Sequence, residues 1–138
     1  MFMILSKKPK VIIDTNVFIS GIIYGGNPEK VLRLFAQNRI ILLISPETTE
    51  ELVSKLYHFE LEKDSIDDLL YLLNERATKV ISKEKVKISR DKKDNIFLEL
   101  ANSGGADYLV TGDKDLLIIK QYKKTVILNP KDFFEMFE

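Results

Sequence analysis

The sequence predicts a three-layer α/β/α domain built around a mainly parallel β-sheet. Short apolar runs recur at 11–13, 40–44, 109–110 and 126–128, and each run is continuous rather than alternating. Strands of this kind are buried on both faces, as in a parallel sheet that helices cover on both sides. Segments with helical spacing of apolar residues separate the runs, and no repeat or linker divides them, so a single domain over 1–138 is expected.

The first half of the chain pairs each strand with helices. A short helix through Ser20 follows the first strand, and apolar residues at helical spacing predict another helix over 28–37. Ser45 and Pro46 come directly after the second strand, and these residue types favour the N-cap and the first position of a helix. A third helix is therefore expected to begin there.

The middle of the chain contains a strand that the pattern does not fix. A helix capped by Asp64 or Ser65 comes first, and a strand at 79–81 or at 86–88 follows it. Asp94 is a suitable N-cap for the next long helix, in which apolar residues again recur at helical spacing.

Turn and cap residues organise the end of the chain. The glycines within 103–105 are expected to end the long helix, because glycine adopts the left-handed C-cap conformation at low cost. Asp113 or Asp115 opens a short helix through Tyr122, and an aromatic-rich helix over 130–137 follows the last strand. Strands and helices thus alternate to the end, as a mainly parallel sheet requires.

Composition excludes several kinds of site. The chain has no cysteine, and its single histidine, His58, has no nucleophile motif around it. Lys plus Arg equals Asp plus Glu at 21 each, so nucleic acid can be met only locally, for example by the lysines within 7–10, 83–93 and 114–124. No apolar run approaches a membrane span and the start does not fit a secretory signal, so a cytoplasmic protein without membrane contact is expected.

Three aspartates occupy the positions where an open α/β sheet places its site. Asp14 directly follows the first strand, Asp113 follows the run at 109–110, and Asp94 begins the helix that leads to that run. Each could simply cap a helix, but three carboxylates at one rim repel one another, and a divalent cation relieves this repulsion. Oxygen ligands suit Mg²⁺ or Mn²⁺, whereas zinc is a poor candidate without cysteine.

A fourth acid is expected from the helix that follows Ser45. Three glutamates compete for this position, namely Glu47, Glu50 and Glu51. Glu50 and Glu51 lie at similar angles from the apolar stripe of the helix, so periodicity does not choose between them.

The sequence resembles PIN domains, and more closely the single-domain prokaryotic group described as toxins of toxin–antitoxin pairs. The segments that carry the resemblance are VIIDTNVFISG, SPETTEELVSKL, RDKKDNIFLELANSGGADYLVTGDKDLL and VILNPKDFF. They span 11–134, nearly the whole chain, and their order and spacing are more specific than the short DTN motif alone.

The resemblance implies four acidic residues that bind metal and carry catalysis: Asp14, Glu51, Asp94 and Asp113. It selects Glu51 over Glu50, because the glutamate of the family stands just before the leucine in this segment. The implied cofactor is Mg²⁺ or Mn²⁺.

The resemblance also implies supporting residues. Asn16 lies beside the first aspartate, Thr111 precedes the last one by two positions, and Asp115 is a further acid of this subgroup. Asp91 is expected to be a surface residue. Pro46 departs from the family, which commonly has a helix former there, and this leaves the register of the following glutamates open.

The expected function is that of a metal-dependent nuclease that hydrolyses phosphodiester bonds, with RNA as the first substrate expectation and DNA as the alternative. The lysines that flank the acids could contact the substrate backbone: Lys92, Lys93 and Lys114. An antitoxin protein is an implied partner. A homodimer or higher homo-oligomer is a further expectation, because three aromatic residues could form an interface or instead pack on the sheet: Phe133, Phe134 and Phe137.

Two other classes of function compete with a nuclease. A phosphatase or a phospho-receiver domain also has an aspartate after a parallel strand, but the phosphatase needs a second acid where this chain has Asn16, and the receiver needs an acidic pair that is absent. A catalytically silent module that binds metal or RNA is the remaining alternative.

Overall fold

A central sheet of six strands organises residues 8–137, the part of the chain that the computed structural model describes. The strands are β1 (Lys10–Ile13), β2 (Ile41–Ile44), β3 (Thr78–Lys79), β4 (Tyr108–Val110), β5 (Gln121–Tyr122) and β6 (Thr125–Leu128). Their order is β3-β2-β1-β4-β6-β5, and every pairing is parallel except that of β5 with β6. Residues 1–7 lie outside the described residues. They contain the start that was predicted not to be a secretory signal and the first lysine of the 7–10 cluster.

Helices cover both faces of this sheet. They are α1 (Thr15–Ile23), α2 (Gly26–Ala36), α3 (Pro46–His58), α4 (Lys63–Arg76), α5 (Lys92–Gly104), α6 (Lys114–Leu117) and α7 (Pro130–Glu135). Successive strand residues point to opposite faces, so Val11 and Ile13 pack in the core with α1 to α4 and α7, whereas Ile12 packs in the core with α5 and α6. The three-layer α/β/α fold class is confirmed.

The strand order reverses between β1 and β4, which are neighbours at the centre of the sheet. From β1 the chain builds outward through β2 to β3, then returns to the other side of β1 to add β4 and β6. The loops that leave the carboxyl ends of β1 and β4 therefore run in opposite directions and leave a crevice between them.

Helix starts are the main point at which the structure differs from the sequence prediction. Ser45 caps α3 as predicted, and its hydroxyl accepts a hydrogen bond from the backbone N–H of Thr48. The prediction of Asp64 or Ser65 as the cap of α4 was wrong, because the first helical bond runs to the carbonyl of Glu62, which caps without its side chain. Buried Ile66 fixes this helix through packing instead.

The cap of α5 was also predicted three residues too late. Asp91 is the N-cap, and its carboxylate accepts the backbone N–H of Lys93 at 3.0 Å. Asp94 lies in the first turn of α5 and is buried. Both residues are aspartates before an apolar stripe, so the local pattern alone does not separate a capping carboxylate from a buried one.

The remaining differences concern element ends. α1 continues to Ile23 instead of ending at Ser20, and the third strand occupies Thr78–Lys79, which overlaps only the first of its two predicted positions. Of the two predicted starts for α6, Asp113 is the N-cap, but the helix ends at Leu117. Lys120 then adopts a positive φ of 66°, which turns the chain into the unpredicted hairpin of β5 and β6.

The carboxyl-terminal aromatic residues pack on the sheet. Phe133 is fully buried, and Phe134 and Phe137 are partly buried against the same core cluster. This agrees with the second of the two predicted roles for these side chains. Within residues 8–137, no helix combines the length and the apolar character that crossing a bilayer requires.

Candidate active site

Asp14 and Asp113 lie on the two sides of the crevice between β1 and β4. Asp14 follows β1 and is the N-cap of α1, and Asp113 follows β4 and is the N-cap of α6. The backbone N–H of Asp14 donates to the carbonyl of Val110 at 2.9 Å, which ties the ends of the two strands together. The point of strand-order reversal thus brings together two aspartates that are far apart in sequence.

Thr111 connects these two aspartates. Its buried hydroxyl donates to Asp14 Oδ2 at 2.7 Å and accepts the backbone N–H of Asp113 at 3.0 Å. A hydroxyl can donate once and accept twice, so one side chain orients both carboxylates.

Asp94 joins the group from the first turn of α5. One carboxylate oxygen of Asp94 and one each of Asp113 and Asp91 all lie within 4.8 Å of one another. Burial raises the pKa of Asp94 to about 7, and the neighbouring carboxylates of Asp113 and Asp91 add to the rise, while the hydroxyl of Ser89, 3.3 Å from Asp94 Oδ2, opposes it. Without a bound cation, the carboxyl of Asp94 is therefore partly protonated near neutral pH.

Asp91 is exposed, as predicted for a surface residue, but it also belongs to this tight acidic group. Nothing in the sequence pattern separates Asp91 from other exposed acids.

The pKa of Asp14 is also raised. Burial is the largest cause, and the negative charges of Glu51 and Asp113 act in the same direction. Hydrogen bonds from the Thr111 hydroxyl and the backbone N–H of Asn16 oppose the shift. The electrostatic interaction with Glu51 means that this glutamate of α3 faces the same group of acids.

Glu51 and Glu50 differ in their contacts, although both line the cleft that contains Lys92 and Lys93. Glu51 Oε2 accepts a hydrogen bond of 2.7 Å from the buried hydroxyl of Thr15, the residue after Asp14. Glu50 is exposed and lies at the border of an apolar groove that also contains Ile81. The α3 helix, with Pro46 in its first turn, thus directs Glu51 toward the end of β1.

Two predicted supporting residues contact the site mainly through their backbones. The Asn16 side chain accepts from Lys55 Nζ at 3.1 Å, while its N–H faces Asp14 Oδ1 at 3.4 Å. The backbone N–H of Asp115 donates to Asp113 Oδ1 at 2.8 Å, and its carboxylate pairs with Arg90 at 3.1 Å.

Residues that the sequence analysis missed anchor the segment that precedes α5. Asn95 Oδ1 accepts the backbone N–H groups of Ile88 and Ser89, and its amide nitrogen donates to the Ser89 carbonyl. Buried Glu99, one turn later, accepts the N–H of Val86 at 3.0 Å. The two side chains hold 86–89 as a strap along α5, and the strap brings the Ser89 hydroxyl to Asp94.

Three helices begin at this group of acids. Aspartate carboxylates accept backbone N–H groups at the starts of α1, α5 and α6. Helix N-termini carry partial positive charge, which offsets part of the repulsion among the carboxylates. Carboxylate oxygens suit a hard divalent cation. Burial is the largest cause of the raised pKa of Asp94, and the repulsion from Asp113 and Asp91 that adds to it is what such an ion would relieve, so the residues present fit Mg²⁺ or Mn²⁺.

Two clefts adjoin the acids on different sides. The lysine cleft, about 530 Å³, is lined by Lys55, Lys92 and Lys93 together with the three glutamates of α3, among them Glu51. Lys114, also predicted to flank the acids, is exposed at the start of α6.

The amide cleft, about 450 Å³, borders Asp113 on the other side. Its polar lining consists mainly of three asparagines with one serine and one lysine: Asn16, Asn27, Asn129, Ser20 and Lys131.

Comparisons with known proteins agree with this architecture. The family model described as a PIN domain matches residues 10–115. The protein MJ1680 of Methanocaldococcus jannaschii is 32% identical over an alignment of 145 positions, gaps included, which covers 95% of this chain and 93% of that protein.

Two solved structures are similar in fold. VapBC2 from Rickettsia felis, solved bound to a DNA fragment from its promoter, superposes with a TM-score of 0.58 at 17% identity, covering 87% of this chain and 98% of the matched chain. The PIN domain of human SMG5 gives a TM-score of 0.49 at 15% identity, covering 94% and 100% of the two chains.

Proposed function

The chain belongs to the PIN-domain family, and on this premise we propose that it is a metal-dependent ribonuclease that hydrolyses phosphodiester bonds. The family resemblance read from the sequence is thereby confirmed. The observation that supports the activity best is the convergence of Asp14, Asp94 and Asp113 at the reversal point of the sheet, where electrostatic coupling also reaches Glu51.

We assign metal binding to Asp14, Asp94 and Asp113, and to Glu51 directly or through water. Thr111 keeps two of these carboxylates in a fixed relation, because its hydroxyl contacts Asp14 and the backbone of Asp113. When bound, a divalent cation supplies a water of lowered pKa and neutralises charge on the phosphate.

This division of roles needs no side-chain nucleophile. It suits a chain without cysteine whose single histidine is exposed near the end of α3.

The substrate backbone is assigned to the lysine cleft. Lys92 and Lys93 are exposed in the first turn of α5, next to the acids, and they can meet phosphates without reading the sequence. The three glutamates in the same cleft limit how strongly it attracts an anion, so the cleft orients a strand more than it provides affinity.

A cleavage assay tests the nuclease activity. Short unstructured RNA is incubated with the protein and Mn²⁺, with and without EDTA. We expect cleavage that EDTA stops and that Asp14→Asn abolishes, because asparagine keeps the helix cap but removes the negative charge. A matched control is Asp68→Asn, which changes an exposed aspartate on α4.

Metal-independent cleavage, or full activity of the Asp14→Asn variant with an unchanged circular dichroism spectrum, contradicts the proposal. Metal binding without cleavage across a broad panel of RNAs favours the silent module instead. Cleavage of DNA but not RNA would make DNA the substrate and would leave the proposed metal-binding residues unchanged. The expected cytoplasmic location stays a prediction.

We further propose that the protein is the toxin of a toxin–antitoxin pair. The support is the resemblance of its motifs to that prokaryotic group, together with the fold it shares with VapBC2. Induced expression of the wild type in bacteria should arrest growth, whereas Asp14→Asn should not. Co-expression of the product of the adjacent gene should relieve the arrest and copurify with the chain, and failure of both contradicts the pairing.

A further inference from the structure

The amide cleft carries neutral hydrogen-bond donors of fixed direction. Lys55 Nζ donates to Asn16 Oδ1 at 3.1 Å, and the backbone N–H of Asp132 donates to Asn129 Oδ1 at 2.8 Å. An ammonium and a backbone N–H can only donate, so the oxygen of each amide must face them. Both asparagines therefore have their amino groups left to contact a ligand, and the ammonium of Lys131 adds one charged donor.

The remaining lining is uncharged or apolar, apart from Asp113 at the border with the acids. Pro28 and Pro130 provide apolar ring faces, while Ser20 and Asn27 can donate or accept. A cleft with few charges, apolar faces and several amide donors fits a neutral heteroaromatic ring better than a phosphate. Its volume of about 450 Å³ lies within the range of small-molecule pockets.

We propose that the amide cleft binds one unpaired nucleobase of the RNA substrate and prefers uracil and guanine, which carry a carbonyl oxygen where cytosine (position 4) and adenine (position 6) carry an amino group. Guanine O6 and uracil O4 are acceptors at positions where adenine and cytosine carry amino groups, which are donors. Where an asparagine amino group faces the amino group of adenine or cytosine, neither donor finds an acceptor. The amino groups of Asn16 and Asn129 therefore disfavour these two bases. This inference rests on the proposed ribonuclease function and specifies its substrate: a single strand with an accessible keto base beside the cut.

Binding of matched homopolymers tests the preference. Short fluorescent RNA oligomers of uridine, cytidine, inosine or adenosine are titrated with the full chain in EDTA, where a metal-dependent reaction cannot consume them. Inosine differs from adenosine at the 6-position by a carbonyl in place of the amino group. We expect uridine to bind more tightly than cytidine, and inosine more tightly than adenosine, each by roughly fivefold.

Two substitutions at Asn129 separate the donor from the helix cap. Asn129→Ser and Asn129→Asp both retain an oxygen that can cap α7, but neither has the amide donor. Both should bring the two affinity ratios close to one. The control Asn102→Ser, near the end of α5 and at the opposite end of the sheet, should leave the ratios unchanged.

A second assay relates the preference to cleavage. A randomised single-stranded RNA pool is digested with Mn²⁺ and the products are sequenced, and we expect guanine and uracil to be enriched at one position next to the cut. Ratios near one in the wild type, or ratios that neither Asn129 variant changes, overturn the base pocket. If the affinity ratios are as expected but no RNA is cleaved, the nuclease proposal alone is contradicted. If RNA is cleaved but the affinities for the paired oligomers are equal, the base pocket alone is contradicted.

Discussion

At the scale of single residues, Asp94 links protonation to stability. Its pKa rises from 3.8 to about 7 on folding, so the folded protein without metal holds a proton that the unfolded chain releases. The resulting contribution to stability is fully present below pH 3.8 and is lost as the pH rises through about 7. The raised pKa of Asp14 acts in the same direction.

This predicts that Asp94→Asn stabilises the protein in EDTA at pH 8 but has little effect at pH 5. Thermal melting at both pH values measures the difference between variant and wild type. Addition of Mn²⁺ at pH 8 should raise the melting temperature of the wild type more than that of the variant. An equal effect of the substitution at both pH values contradicts a raised pKa at this carboxyl.

The two adjacent glutamates of α3 provide a matched pair of substitutions. Glu51→Gln should lower the cleavage rate on the order of tenfold or more, because it removes a negatively charged oxygen that we assign to the metal, directly or through water. Glu50→Gln should have a clearly smaller effect, since Glu50 is exposed and, of the two glutamates, Glu51 is the one that accepts the hydroxyl of Thr15 beside Asp14. Initial rates in Mn²⁺ at matched circular dichroism spectra decide the comparison, and an equal loss in both variants rejects the assignment.

The sequence pattern alone could not choose between these glutamates, because both lie at similar angles from the apolar stripe of the helix. Their distinction depends on Thr15, a residue more than thirty positions away in the chain, whose hydroxyl contacts Glu51. Asp14 and Asp113 were predictable as neighbours because each follows a buried strand. Single residues were therefore predictable where they follow the carboxyl end of a buried strand. They were not predictable from the pattern where side chains from distant segments meet.

At the scale of elements, the strap over 86–89 depends on one amide. Asn95→Ala removes all three hydrogen bonds between this side chain and the strap and should cost roughly 1–3 kcal/mol of unfolding free energy. Hydrogen exchange should accelerate at the N–H groups of Ile88 and Ser89 in particular. The control Asn102→Ala removes only a surface contact with Lys123 and should change stability by less.

The same strap explains a failed element prediction. One predicted position for the third strand was 86–88, where apolar and charged residues alternate as in a strand. Its backbone groups bond to Asn95 and Glu99 of α5 instead of to another strand. Only Thr78–Lys79 pairs with β2, because this segment follows directly from α4 at the sheet edge. The side-chain pattern of 86–88 therefore did not show that its backbone partners lie on a helix instead of a strand.

At the scale of the whole molecule, the balanced charge limits electrostatic affinity for RNA. The chain has no net charge, and only Lys92 and Lys93 are exposed lysines of the cleft beside the acids. About two phosphate contacts on a single strand predict a slope of log affinity against log salt of roughly −1.4. Anisotropy titrations from low to moderate salt measure this slope, and a value several times steeper shows that a larger basic surface is used.

The three-layer architecture and the position of the site were predictable together. Continuous apolar runs are typical of strands covered on both faces, and the buried β1 and β4 confirm this at the centre of the sheet. The antiparallel β5 was missed, since two residues that end a helical pattern carry no strand signal of their own. The hairpin also depends on positive φ angles at Lys120 and Lys123, on either side of β5. Lysine rarely adopts this conformation, so the sequence does not predict it.

The hydrogen bond between Thr111 and Asp14 spans 97 residues of chain, and this separation has a consequence for protein synthesis. A ribosome that has completed the first hundred residues has already made Asp14, Glu51 and Asp94, but not the strand β4, whose end holds Asp14 in place and leads to Asp113. That strand pairs with β6 as well as β1, so its place is secured only when residues near 128 have left the ribosome. A nascent chain therefore contains most of the acidic residues of the site before these residues are brought together. During this time the messenger being translated is near a protein whose site has not yet formed.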